Sequence, residues 1–326
     1  MLQAMILVAV YERGHGMYPA AYLTVGSCAR YAVALWLDKT IVEWDNGLSE
    51  WASLEEQHRA WWAVIILKRS MNVDWPNRAL CTPDPVEHYY LPVLDEDWNN
   101  GTYPNALPYT VSSPCAEKMG KFARLAQAAH FLSRVLRHVS DTEISRNFLR
   151  EERNTLDRAI RSLLSLTVSE EELCGVVYCS PVAVLGRYEP FQTNRAVSTF
   201  DSHCFLFNAL LMLQSFHRPI DEVPSHAEGE DRFLTAMERT AEVILPIAHR
   251  LRDNQSQFPS PLVMDWLYQS AVIFTGLEQE NFPFYRDCVK CIWEALKSPT
   301  SLWPVGNSYL DLLETRKLAN MQMRDS

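Results

Sequence analysis

Residues 55–69 read Glu55-Glu-Gln-His-Arg-Ala-Trp-Trp-Ala-Val-Ile-Ile-Leu-Lys-Arg69, with charged residues at both ends of an apolar run. The run is far too short to cross a membrane, and its residues suit a helix. Ser53 and Glu56 have the spacing of a capping box, which predicts a helix over 54–71. On that helix Glu55 or Glu56 is expected to pair with Arg59, one turn away.

The two tryptophans of this helix are expected to have different surroundings. Neighbouring residues diverge by about 100° around a helix, so Trp61 and Trp62 cannot share a face. One is predicted to pack in the core, and the other is predicted to meet the segment that follows the helix.

Helical periodicity dominates the rest of the chain, and no segment alternates convincingly as a strand. The predicted fold is all-α, a single large domain over 1–326 with about ten helices and one long internal connection. Glycine, 11 of 326 residues, is too scarce for glycine-rich nucleotide folds. Pro114 and the capping boxes at 140–143 and 169–172 set three of the helix starts. The predicted helices cover 3–13, 17–37, 54–71, 114–139, 141–166, 170–178, 200–216, 227–252, 260–278, 281–297 and 300–316.

The internal connection covers residues 74–114. It contains seven prolines, which exclude a helix interior: Pro76, Pro83, Pro85, Pro92, Pro104, Pro108 and Pro114. Its tryptophans and tyrosines favour a segment packed against the fold over a disordered one.

Charge and cysteine usage exclude several classes of protein. Asp and Glu number 40 and Lys and Arg 30, a net charge of -10, whereas nucleic-acid binders carry a basic patch and membrane-surface proteins a polybasic cluster. No signal peptide or membrane span is predicted. The eight cysteines are expected to be mostly buried, because only Cys288 and Cys291 have CxxC spacing and no second pair completes a zinc site. No metal and no cofactor are predicted.

The sequence lacks the GxSxG, GxGxxG, GxxxxGK[ST] and HExxH motifs of common catalytic and nucleotide sites. His130, Arg134 and His138 form a cationic stripe on one predicted helix, and the two histidines are too far apart to share a metal. If the chain is an enzyme, the candidate catalytic residues are His203, Asp201, His217, His130 and Tyr188, with Glu189 and Arg134 beside them.

Four segments together resemble a known family: Gly14–Arg30; Glu55–Arg69 running into Trp75-Pro76-Asn77-Arg78; His203–Pro219; and Ser260–Ala271. The chain resembles the fungal-specific transcription factor domain, the middle homology region of binuclear zinc cluster regulators, and is similar in style to regulators of secondary-metabolite gene clusters. The resemblance covers nearly the whole chain and implies an all-α regulatory domain. The family's six-cysteine DNA-binding module, which starts with a CxxC pattern, matches nowhere in this sequence, so the domain is expected to be trimmed at its N-terminus.

Three hypotheses follow from the resemblance. The first is a regulatory protein, nuclear by resemblance or else cytoplasmic, that binds a small metabolite or a protein partner, possibly as a homodimer, and does not contact nucleic acid or membrane. Its candidate ligand-binding residues are Trp61, Trp62, Arg69, Arg78 and Trp75. The second is a regulatory domain repurposed as an enzyme acting on a pathway metabolite. The third is a truncated form of an ordinary zinc cluster activator.

Overall fold

The computed structural model describes residues 1–39, 51–114, 119–141, 146–174, 205–210, 212–213, 226–253, 260–279, 284–297 and 303–324. Within these ranges the chain is all-α, as predicted, and its only β feature is an isolated antiparallel bridge between Tyr90 and Thr110. The chain groups into two compact units, Met1–Tyr11 with Tyr18–Phe216 and Glu12–Met17 with His217–Ser326. Among the described helices, none is both long enough and apolar enough to cross a membrane. The single-domain prediction stays a prediction.

The described helices of the first unit are α1 (Leu2–Gly14), whose last residues belong to the second unit, α2 (Tyr18–Ala34), α3 (Trp51–Met71), α4 (Asp95–Asn100), α5 (Lys121–Ser140) and α6 (Arg146–Cys174). The buried helix α3 packs against α2 and α5, and α6 packs on α5. Every residue of α3 from His58 to Met71 is buried. Helix α2 packs through a buried stripe of Ala21, Val25, Cys28 and Ala32, whereas Leu35 lies beyond the helix end and is exposed.

Residues 74–114 form the predicted extended connection, interrupted only by the short helix α4. Gly101 ends α4 with a left-handed φ of 66°, a conformation that glycine adopts without steric cost. The segment is packed, because Trp98 and Val93 form a buried cluster with Trp51 of α3. Trp51 lies edge-on to Trp98, with 6.3 Å between ring centroids.

Within its described residues, the second unit contains the helices α7 (His226–Arg252), α8 (Pro261–Gln279), α9 (Phe284–Lys297) and α10 (Val305–Arg324). Helices α8 and α10 meet where the rings of Tyr268 and Tyr309 stack 4.6 Å apart. Gly306 lies so close to α9 that a Cβ there would be 2.5 Å from the carbonyl oxygen of Leu296. Helices α9 and α10 therefore pack backbone to backbone at this point.

Three predicted helix starts are wrong. Ser53 lies inside α3, where its Oγ accepts a hydrogen bond from Gln57, and Ser169 lies inside the continuous helix α6. Helix α5 begins at Lys121 and not at Pro114. The physical reason at α5 is a remote cap: Asp95 Oδ2 accepts from the N–H of Phe122, an orphan donor of the first turn, at 3.3 Å.

One further helix differs from its predicted range, and another is described only in part. The last helix, predicted over 300–316, is described over Val305–Arg324. Of the helix predicted over 200–216, residues 205–210 and 212–213 are described and helical.

Candidate functional site

The predicted ion pair on α3 is confirmed for Glu55 and lies in a buried network. Glu55 Oε1 accepts from Arg59 Nε at 2.9 Å and from the N–H of Val93 at 3.0 Å. Arg59 Nη2 donates to Asp95 Oδ1 at 3.0 Å, and its guanidinium lies 5.0 Å from the Trp98 ring centroid. Because Asp95 also caps α5, the network joins α3, the extended connection and α5.

The two tryptophans of α3 are both buried, and one of them meets the extended connection as predicted. Trp62 Nε1 donates to the carbonyl oxygen of Tyr90 at 3.0 Å, and its ring lies edge-on to Tyr89. Burial raises the pKa of Tyr89. Trp61 is 2% exposed and packs in the core.

Arg69 is fully buried at the C-terminal end of α3. Its Nε donates to Ser133 Oγ of α5 at 2.6 Å, and its Nη2 donates to Asp84 Oδ1 at 2.8 Å. Burial lowers the pKa of Arg69, and Asp84 opposes that change. Asp84 also pairs with the exposed Arg137 of α5, so one carboxylate serves two guanidinium groups.

Arg78 lies among aromatic rings. Its guanidinium carbon is 5.0 Å from the Trp75 ring centroid, 5.1 Å from that of Tyr22 and 5.7 Å from that of Tyr18, whose hydroxyl accepts a hydrogen bond from it. Its backbone is fixed by Asn72 Nδ2, which donates to the Arg78 carbonyl oxygen at 2.6 Å. No carboxylate of the described residues forms an ion pair with Arg78.

An open groove of about 460 Å³ lies between Arg78 and the C-terminal turn of α5. This volume falls in the range of about 300–1,000 Å³ typical of small-ligand sites. The groove, called the Arg78–Arg137 groove below, is lined by Pro76, Asn77, Arg78, Ala79, Leu80, Leu136, Arg137, Ser140 and Asp141. Ser140 Oγ donates to the carbonyl oxygen of Pro76 at 2.9 Å, which fixes one wall to the other.

The groove carries charges of both signs. Arg78, Arg137 and Asp141 line it, and Arg137 pairs with Asp84. On the same helix as Arg137, burial, and secondly the charge of Arg134, lower the pKa of His130 to about 4. His130 is thus neutral at pH 7.

Of the residues predicted to bind a ligand, Arg78 lines this groove, and Trp75 contacts the Arg78 guanidinium without lining the groove. Trp61, Trp62 and Arg69 lie in the buried interior and do not line it. Sequence reasoning missed Tyr18, Tyr22, Asp84 and Arg137. Only Arg137 had a usable signal, because it continues the cationic stripe of His130 and Arg134 along α5.

Within the residues that it describes, the structure does not bring the catalytic candidates together. His203, Asp201, His217 and Tyr188 lie outside the ranges that the structure describes, as does Glu189. His130 is half-buried, and its Nδ1 has no hydrogen-bond partner in the described part of the chain.

Cys288 and Cys291 are buried on α9, as expected. Cys291 Sγ lies 3.6 Å from His249 Nδ1, and burial raises the pKa of Cys288 to about 11 and that of Cys291 as well. Both thiols are therefore protonated at neutral pH. Across the ranges described, no three His, Cys, Asp or Glu side chains are grouped so that they could hold a metal ion.

Comparison with known proteins relates one part of the chain to a transcription factor. Over 59 residues, 18% of this chain, the sequence is 49% identical to a protein named Transcription factor BOA15 from Botryotinia fuckeliana (strain B05.10). The match covers 33% of that protein, so it spans about a third of the relative's length. No family model matches the chain. No solved structure matches it.

Proposed function

We propose that the chain is a regulatory protein of transcription that responds to a small metabolite or a protein partner. The observation that carries the proposal is the 59-residue match, 49% identical, to a protein named as a transcription factor. The resemblance to the fungal-specific transcription factor domain is consistent with it and adds the nucleus as the place of action. The same resemblance adds secondary-metabolite genes as the targets.

A role through ligand or partner binding, and not through direct contact with DNA, is supported by two features. The net charge of -10 opposes the approach of a polyanion. The Arg78–Arg137 groove has the size of a small-ligand site. In this proposal the chain controls DNA binding or transcription that other protein segments carry out.

The proposal is tested by tethering the full chain to an unrelated sequence-specific DNA-binding domain in front of a reporter gene in a fungal host. We expect reporter transcription to rise or fall at least about threefold relative to the DNA-binding domain alone, a change that corresponds to roughly 0.6 kcal/mol of coupling. A helical protein of similar size and charge, tethered in the same way, controls for the nonspecific effect of acidic residues. Transcription equal to that of the control would overturn the proposal.

The location is tested with the same host. A fluorescently tagged full chain is expected to accumulate in the nucleus, and the tag alone serves as the reference. Steady exclusion from the nucleus would contradict a role in transcription.

A further inference from the structure

We infer that helix α1 pairs, in antiparallel orientation, with α1 of a second copy of this chain. The contact is made by an exposed apolar face, called the outer face of α1 below, which consists of Ala4, Leu7, Val8 and Tyr11. The inference goes beyond the proposed function and does not depend on it. It is carried by the exposure of this face, its lack of charge and the order of its side chains.

Helix α1 is apolar on both sides. Its inner side is buried through Leu2, Ile6, Ala9 and Val10. Its outer face is exposed, with relative exposures of 38% for Leu7, 48% for Val8 and 55% for Tyr11. A helix that is hydrophobic all round is normally buried on every side. A further contact is therefore expected on the outer face.

The exposed residues lie along one stripe of the helix. At about 100° per residue, Ala4 and Tyr11 fall on nearly the same line along the helix, and Leu7 and Val8 flank that line on either side. An apolar stripe that repeats after seven residues is the pattern with which one helix packs along another. The stripe therefore indicates a helix as the occupant of the outer face.

The lack of charge favours a second copy as the source of that helix. The outer face offers no ionic contact to a charged partner. Helix α1 also carries no Lys or Arg before Arg13, so it lacks the basic side chains that hold a helix on anionic lipid. Two copies of a chain with a net charge of -10 repel each other, and an uncharged face allows them to meet with the least repulsion. Homodimer interfaces are accordingly more apolar than most interfaces between different proteins.

The outer face is complementary to itself when the two helices run in opposite directions. With the two-fold axis beside Leu7 and Val8, each of these residues lies next to its own copy, and the small Ala4 faces the large Tyr11 of the second copy. Parallel helices would place alanine on alanine and tyrosine on tyrosine, which leaves a gap at one level and crowding at another. Close packing therefore favours the antiparallel pair.

The inference is tested by sedimentation equilibrium of the full chain. One exposed face of a single helix falls below the roughly 1,200 Å² of a standard protein–protein interface, so we expect a weak dimer with a Kd of about 10–100 μM. The chain should be monomeric at about 1 μM and largely dimeric at about 200 μM. A chain that stays monomeric over this range overturns the inference and leaves the outer face to a helix of another protein.

Variants locate the contact on the outer face. Val8→Glu and Leu7→Glu should each raise the dimer Kd at least about tenfold, because each places two carboxylates side by side at the two-fold axis. Leu23→Glu, at a leucine of α2 that is 62% exposed, adds the same charge elsewhere and should change the Kd less than about twofold. Thermal unfolding checks that the variants are folded. A dimer that persists in both Val8→Glu and Leu7→Glu overturns the inference.

Disulfide crosslinking determines the direction of the helices. Mild oxidation of Val8→Cys should give a covalent dimer, since antiparallel pairing brings the two copies of residue 8 together. Ala4→Cys and Tyr11→Cys should crosslink when mixed with each other and not when oxidised separately. The wild type, oxidised in the same way, gives the background from its own cysteines. Crosslinking of Ala4→Cys to itself, without crosslinking in the mixture, would show parallel helices and overturn the antiparallel pair.

Discussion

Glu55 is fully buried, and its Oε1 accepts hydrogen bonds from both Arg59 and the backbone of Val93. A buried ion pair of this kind contributes little net stability compared with an apolar pair, yet removal of one partner is costly because the other charge stays buried. Glu55 therefore holds the extended connection against α3, and removing its charge is expected to lower the stability of the fold.

Glu55→Gln is expected to destabilise the chain by about 2–3 kcal/mol, because the amide still accepts from Val93 but no longer neutralises Arg59. Asp95 retains part of the neutralisation. Urea unfolding measures the change, and Glu56→Gln at the exposed neighbouring position should change stability by less than about 0.5 kcal/mol. Equal effects of the two substitutions would show that the network does not stabilise the fold.

His130 makes stability depend on pH. Its folded pKa of about 4 lies below the ordinary value of 6.5, so the unfolded chain binds a proton between these values and the folded chain does not. Stability from this group is complete above pH 6.5 and falls as the pH drops towards 4. Between pH 7 and pH 4 the wild type should lose about 3 kcal/mol more than His130→Leu does.

Urea unfolding at a series of pH values checks this expectation. His88→Leu, at an exposed histidine of the extended connection, is the matched control and should keep the wild-type pH dependence. If His130→Leu and the wild type lose stability in parallel, His130 is protonated in the folded state and the expectation fails.

At the scale of elements, helix packing depends on close approaches that only glycine allows. Gly306→Ala would place a Cβ 2.5 Å from the Leu296 carbonyl oxygen and should destabilise the chain by about 1–3 kcal/mol. Gly276, inside α8, has open space around its Cβ position, so Gly276→Ala should stabilise by about 0.5–1 kcal/mol. Thermal unfolding measures the change in stability of both variants. If Gly306→Ala stabilises the chain as Gly276→Ala does, the close packing of α9 on α10 is contradicted.

Helix type and approximate extent could be predicted from the sequence, whereas several ends could not. Periodicity identified α2 and the helices of the second unit because it reflects which face each helix buries. Helix α3 is buried on every side from His58 to Met71, and its long apolar run indicates it instead. Helix α5 begins where Asp95 caps it from 27 residues away, and a remote cap leaves no local pattern. Ser53 and Ser169 have the sequence spacing of a capping box, but both lie inside helices. A capping box requires a residue with a non-helical backbone at its start.

The candidate site was predictable only in part, for the same reason. Arg78 and Trp75 are near each other in sequence, and their meeting follows from a local turn. The rings of Tyr18 and Tyr22 reach Arg78 across a long sequence separation, and Asp84 meets Arg137 in the same way. Such contacts depend on how α2, α3 and α5 pack, which a single sequence does not state.

At the scale of the whole molecule, the net charge of -10 predicts that the chain alone does not bind duplex DNA. A gel-shift assay with pooled random duplexes at about 0.15 M salt should show no retarded band, because the net negative charge of the chain repels the phosphate backbone. A basic DNA-binding domain run in parallel is the positive control. A sequence-selective band from the chain alone would contradict the proposed role.

Asp84 gives the first unit a means of thermodynamic linkage between its surface and its interior. The same carboxylate pairs with Arg137 at the groove and with Arg69 inside α3. Arg137 and Arg69 are thereby coupled, because both compete for one carboxylate. By linkage, a change at the exposed guanidinium group alters the pairing of the buried one, and the reverse holds as well.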